Sequence, residues 1–229
     1  MLVAIHQLHY LPWLRYVEKI ARADVFIVLD DIQYNKGGWQ NRNKIKAADG
    51  PLLLTVPVLA KDQQRLDEVR INNTIDWRRK HFRSIEQAYR SSPYWAEHAP
   101  FLAATYDHEW TALNDLNKHM LNYFMNALGL RTPVRYSSEL EVPGIATERL
   151  SSLIRAVGGD AYYTGTYAVD SYLDMGLFEN NGIQVLLQHW TPPIHPQLHG
   201  DFAPDLSILD VLLNCGPTTL DVIRTGGQS

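Results

Sequence analysis

The chain has a single cysteine, Cys215, among 229 residues. An internal disulfide is therefore excluded, and such sparse cysteine suits a reducing, cytoplasmic setting. No stretch approaches ~18 uninterrupted apolar residues, so no membrane-spanning helix and no membrane insertion are expected. A basic region ahead of an apolar run is missing at the N-terminus, so no secretory leader is expected. Positive charge is not in excess either. The 21 Lys and Arg stand against 25 Asp and Glu, a formal net charge of −4. That balance argues against nucleic acid as a partner held by bulk charge. Walker A, Gly-rich dinucleotide and G-x-S-x-G motifs are all absent, which removes the commonest nucleotide-phosphate, redox and serine-hydrolase classes.

What the chain does have is strand-like and helix-like patterning in alternation. Residues 3–5 are short, apolar and β-prone. From Leu11 the apolar positions Leu14, Val17, Ile20 and Ala21 follow helical spacing, with Pro12 tolerable in a first turn. Residues 25–29, VFIVL, form a continuous apolar run of the kind buried on both faces of a sheet. Strand, helix, strand in this compass predicts a βαβ crossover with parallel strands. Further on, residues 39–58 read as short strands around the turn Ala48-Asp49-Gly50, and a polar flap is expected at 60–69. Helices are expected from Asp76 to about 89, after Pro93, and through TALNDLNKHMLNYFMNALG. Leu113, Leu116, Met120, Leu121, Phe124 and Leu128 make the apolar stripe of the last, with Gly129 past its end. Strands at 134–136, AYYTG and GIQVLLQHW, and helices at TERLSSLIRAVGG and SILDVLLNCG, complete the pattern. The predicted fold is α/β: a mostly parallel sheet flanked by helices, Rossmann-like and three-layered. It forms a single domain, 1–229, with a helical insertion at about 76–129 and a flexible tail at about 225–229.

The chemistry-bearing residues concentrate at predicted strand ends. "IHQLHYLPW" places His6, Gln7, His9 and Tyr10 where a parallel strand meets a helix, at the sheet edge where open α/β folds bind ligands. His6 is the candidate general base. Asp30 and Asp31 end the second strand, and either can orient an imidazole, although capping or turn formation explains them equally well. Gln33, Asn41, Arg42 and Asn43 are polar candidates for holding a substrate, Arg42 through its planar fork, with a solvated edge strand as the plain alternative. The Pro-rich stretch between Trp190 and Ser207 lacks periodicity and carries His195, Gln197 and His199, just after His189. The spacing H-x5-H-x3-H matches no compact zinc motif, so no metal is expected. Cys215, at the end of an apolar helix, reads as buried filler rather than nucleophile. His81, His98, His108 and His119 read as surface or boundary residues of helices.

Several stretches together resemble the WbqC-like family: IHQLHYLPWLRYVEKIARADVFIVLDDIQY, QNRNKIK, LTVPV, IDWRRKHFRSIEQAY, YYTGTYAVDSYLD and PQLHGDFAPDLSILDVLLNCG. The resemblance runs from residue 2 to about 216, with the motifs in family order. It implies polar motif residues at His6, Gln7, Tyr10, Asp30, Gln33, Asn41, Arg42, Gln197 and Asp210. It also implies a role in bacterial surface-polysaccharide or specialised-metabolite biosynthesis. The expected activity is transfer of an acyl or aminoacyl group from a thioester, carried by coenzyme A or an acyl-carrier protein, to an amine on an amino sugar or metabolite. No cofactor is expected. Two alternatives remain open: a nucleotidyltransferase-like or adenylate-forming enzyme, since H-x-x-H after a first strand is loosely similar to the H-x-G-H of nucleotidylyltransferases, or a non-catalytic sugar or carrier-protein binding module.

Overall fold

The computed structural model describes residues 1–171 and 173–226. Its centre is a five-stranded, all-parallel sheet: β1 (Leu2–Gln7), β2 (Val25–Leu29), β7 (Val134–Tyr136), β8 (Ala161–Thr164) and β9 (Gln184–Leu187). The spatial order is β7-β2-β1-β8-β9. The expected βαβ unit is present. Helix α1 (Leu14–Arg22) joins β1 to β2, which pair directly in the register Val3↔Val25 to Gln7↔Leu29. Helix α1 begins after Trp13 at its N-cap, so Pro12 lies just outside it.

Because successive strand side chains point to opposite faces, β1 feeds two cores. Ala4, Phe26, Val28 and Tyr163 meet Leu14, Tyr16, Val17 and Ile20 of α1 on one side. Val3, Ile5, Ile27 and Tyr162 meet Leu150, Leu153 and Ile154 of α6 (Ala146–Ala156), and Phe178 of α8 (Met175–Asn180), on the other. This is the three-layer arrangement the sequence predicts. The approach is closest at Gly159, just before β8, where a Cβ would lie 2.5 Å from Val3 and 2.8 Å from Ile154. Only glycine allows that contact without displacing the core.

The helical insertion belongs to a longer excursion between β2 and β7. It opens with a hairpin of β3 (Arg42–Ala47) and β4 (Gly50–Thr55), turned at Gly50 with φ +109°. A two-residue pairing of β5 (Val58–Leu59) with β6 (Arg70–Ile71) follows. Then come α2 (Trp77–Tyr89), α3 (Trp95–Asp107) and α4 (Leu113–Ala127), with the whole predicted apolar stripe of α4 buried. Short helices α5 (Ser137–Leu140) and α7 (Thr166–Ser171) follow β7 and β8. Helices α9 (Ile208–Cys215) and α10 (Thr219–Thr225) end the described chain.

Two expectations need correction. The segment at 60–69 is tied down rather than free: Leu66 and Val69 are fully buried, and backbone bonds join Tyr34 to Gln64 and Leu66 to Ile32. Two of the supposed surface histidines, His81 and His98, are buried. At the C-terminus, Thr225 ends α10 and Gly226 lies against the Trp190 indole, while residues 227–229 of the expected tail lie outside the described residues.

The sheet's face is sealed by α1, where Ile20 is fully buried and Leu14 is 6% exposed. Truncating either to Ala is expected to cost about 2–5 kcal/mol in a urea unfolding experiment, through lost burial and the cavity left behind. A loss below about 1 kcal/mol would mean that α1 does not pack on the sheet as described.

Candidate active site at the carboxyl end of the central strand

The strand order supplies the location. From β1 the chain builds outward to β2 and β7 on one side, and only afterwards to β8 and β9 on the other. The order therefore reverses beside β1, and a crevice opens beyond the carboxyl ends of β1 and β8, where open α/β sheets take their ligands. A cleft of about 1020 Å³ lies there. Its lining includes Ile5, His6 and Gln7 of β1, His9 and Trp13 of the following turn, and Arg15, Tyr16 and Lys19 of α1. Trp39 from the excursion, Arg149 of α6, Thr164 at the end of β8 with Gly165 to Tyr167 after it, and Gln188 add to the wall. No Asp or Glu lines it among the described residues.

His6 sits at the centre of an aromatic cluster, with its ring 4.6 Å from His9 and 5.0 Å from Tyr16, both edge-on. Its Nδ1 lies 3.2 Å from the Gln7 carbonyl. A carbonyl only accepts, so Nδ1 carries the proton and Nε2 is the basic atom. Burial holds the His6 pKa well below the ordinary histidine value, and the Lys19 and His9 charges add to the effect against the Gln7 bond. His9 is pushed down to about 3 by burial and then by Lys19. Lys19 is itself lowered to about 8, mainly by burial, with Glu18 opposing and Arg15 assisting. Two neutral imidazoles therefore sit beside a buried ammonium.

Neighbouring charges are arranged to leave that ammonium without an ion pair among the described residues. The Glu18 carboxylate accepts from the Tyr163 hydroxyl at 3.0 Å and from Gln188. Arg15 donates to the Trp190 carbonyl and lies over the Trp190 ring. Arg149, by contrast, is paired with Asp31. Burial tends to raise the Asp31 pKa, but the Arg149 and Ser137 hydrogen bonds and nearby charges outweigh it, and the net shift is downward.

The residues singled out from sequence divide into three groups. His6, Gln7, His9 and Gln33 line the cleft, Gln33 at an exposed position and Gln7 braced by Gln40 at 3.1 Å. A second group holds the scaffold. Tyr10 is fully buried and bonded to His81 and Tyr106, Asn41 bonds the Val56 carbonyl, and Asn43 bonds the Leu11 carbonyl. Asp30 is engaged by Lys118 at 2.7 Å and by Ser137 and Ser138, so its partners come from α4 and α5 and do not include His6. Arg42 starts β3 and lies beside Gly37, outside the cleft lining. The third group forms a separate buried network. Asp210 accepts from Tyr89 at 3.0 Å and Gln197 at 2.7 Å, and meets His195 at 2.9 Å. His195 and Gln197 line a cavity of only about 10 Å³. His189 is exposed, and neither it nor His199 joins the lining. A single cleft holding His6, Asp30, Arg42 and Gln197 is thus not what the fold assembles. Cys215 also lies outside the cleft.

Sequence reasoning missed Lys19, Arg15, Tyr16 and Arg149. All lie inside helices, where a periodic pattern directs attention to apolar positions. A signal existed for Lys19: in LRYVEKIAR it falls one helical turn after Tyr16, the position next to the buried face.

Fold and site together define an open-sheet α/β protein with a polar cleft at its topological switch point. The match to the WbqC-like protein family covers residues 7–222, and the chain belongs to that family. It is 38% identical over 226 residues to the "Uncharacterized protein Rv1507c" of Mycobacterium tuberculosis, covering 97% of each chain. No solved structure matches it. No helix among the described residues is long and apolar enough to cross a membrane.

The buried Lys19 carries a stability signature. Its folded pKa of about 8 lies below the unfolded value of 10.5. Below pH 8 both states hold the proton, and the folded state bears the full penalty. Between about 8 and 10.5 the unfolded state binds more protons, so stability rises with pH and the penalty is relieved. Lys19→Met is therefore expected to be more stable than wild type at pH 7, by on the order of 2 kcal/mol. The gap should shrink towards pH 10.5 in parallel denaturant titrations. A destabilised variant at pH 7 would show that Lys19 is structurally paired.

Proposed function

We propose that the protein is a biosynthetic transferase that moves an acyl or aminoacyl group from a thioester donor to an amine acceptor in this cleft. The observation that carries the reading is His6: an imidazole kept neutral, with Nε2 basic, at the carboxyl edge of the central strand. The attacking amine forms a C–N bond to the thioester carbonyl and loses a proton to Nε2 of His6. The tetrahedral intermediate then releases the thiolate as the C–S bond breaks, and the His6 proton goes to sulfur. Gln7, which lines the same cleft and whose Oε1 is held by Gln40, has its amide N–H groups to offer the developing oxyanion. No cysteine lines the cleft. Direct transfer between two bound substrates is therefore the favoured course, without an acyl-enzyme.

The acceptor in this reading is an amino sugar or amine metabolite, and the donor a coenzyme A or carrier-protein thioester. His6→Gln should lower kcat by ~10²–10⁴ while substrate affinity changes little. Because burial holds the His6 pKa well below its ordinary value, kcat/KM should stay flat from neutral pH through ~6.5 and fall only at more acid pH. Kinetics with a panel of acyl thioesters and amines provide the check. Near-wild-type turnover by His6→Gln would remove the base from the mechanism. ATP-dependent pyrophosphate release would replace acyl transfer with nucleotidyl chemistry.

A further inference from the structure

We infer that the side of the cleft built by Lys19 and Arg15 is a phosphate site, which receives the phosphoryl or diphosphoryl group of a substrate. The inference rests on the reading that this cleft binds the substrates, and it adds a ligand class to that reading.

Two features of the wall point the same way. Lys19 is only 7% exposed, lines the cleft, and has no ion-pair partner among the described residues. Arg15 uses one guanidinium nitrogen on a backbone carbonyl and likewise has no carboxylate partner among the described residues. The charged and titratable groups around Lys19 are Glu18 and Arg15 of α1, with His6 and His9 from β1 and its turn. The only carboxylate among these, Glu18, is hydrogen-bonded to Tyr163 of β8 and to Gln188. A desolvated cation of this kind is costly to keep unless an anion joins it.

The neutral groups give the second indication. His9 Nδ1, Tyr16 Oη and Trp13 Nε1 are buried and have no hydrogen-bond partner among the described residues, and all three residues line this cleft. His9 and Tyr16 are 4% and 1% exposed. Lysine, arginine and the indole N–H only donate, and a hydroxyl or a neutral imidazole can do so as well. A wall of donors with two cations calls for a ligand that only accepts and carries more than one negative charge. A carboxylate offers two oxygens and one charge, whereas a phosphoryl group offers three terminal oxygens and up to two charges. The Trp13 and Trp39 rings, 5.5 Å apart, add an aromatic surface on the same wall for whatever the phosphate carries. Phosphate has two sources in the proposed reaction: the phosphopantetheine arm of the donor, and a nucleotide-sugar acceptor.

Calorimetric titration of the purified protein with inorganic pyrophosphate, coenzyme A and UDP tests the inference without turnover. Wild type should bind pyrophosphate, with affinity that weakens as salt rises and as pH rises through about 8, where Lys19 loses its proton. Lys19→Met should weaken binding by roughly tenfold or more, the loss expected for one charge-assisted contact, and Lys19→Arg should restore part of it. Arg15→Gln, at a half-exposed position, gives the same reading should Lys19→Met fail to fold, and Lys80→Met, on the exposed face of α2, should bind as wild type. Competition by coenzyme A that depends on Lys19 assigns the phosphate to the donor, and competition by UDP assigns it to the acceptor. Pyrophosphate binding that ignores Lys19 and Arg15, or absence of binding by all three probes, would overturn the inference. His6→Gln should retain pyrophosphate binding, so failure of the acyl-transfer reading and failure of the phosphate site give different results.

Discussion

The position of β1 is the constraint on which the rest depends. It is hydrogen-bonded on both sides to parallel neighbours, and the chain fills one side completely before it begins the other. A strand in that position must bury both faces, which Val3, Ala4 and Ile5 do. Its carboxyl end then faces a gap that neither adjoining crossover covers. His6, at that end, is neither fully solvated nor fully packed away. His6 and Gln7 stand where the apolar run stops, still paired with β2 but beyond the pairing with β8, which ends at Ala4.

The same geometry sets the electrostatics. Helix α1 returns across the sheet and brings Tyr16 against the His6 ring and Lys19 into the lining of the same cleft. Burial removes water from all of these groups, so the imidazoles stay neutral and the lysine becomes easier to deprotonate. Glu18, the next residue along, is turned to Tyr163 and Gln188 instead of neutralising Lys19. The site thus holds a destabilising charge that the fold is able to tolerate. Such a residue is expected where a ligand completes the balance.

Legibility in the sequence followed chain locality. The βαβ unit was readable because residues 3–29 combine two apolar runs with a helical stripe, and His6 with Gln7 could be placed at the sheet edge from that alone. The stripe of α4 was equally plain. Asn41, Asn43, Tyr10 and Asp30 lie outside the cleft lining, and in sequence a polar side chain that satisfies a distant group looks like one that holds a ligand. Their partners, Val56, Leu11, His81 and Lys118, are set by tertiary contacts no spacing rule encodes. Gln197 and His195 went to Asp210 for the same reason. Lys19 and Arg15 were overlooked because charged residues on a helix usually face water.

The protonation of His6 and His9 is the most direct check on this account. Nitrogen-15 NMR of histidine-labelled protein, titrated from neutral to acid pH, reports the charge and tautomer of each ring. Both imidazoles should remain neutral at pH ~6, below the ordinary histidine value, with the proton of His6 on Nδ1. Protonation of either ring at or above pH ~6.5 would contradict the buried, cation-flanked site from which the chemistry is argued.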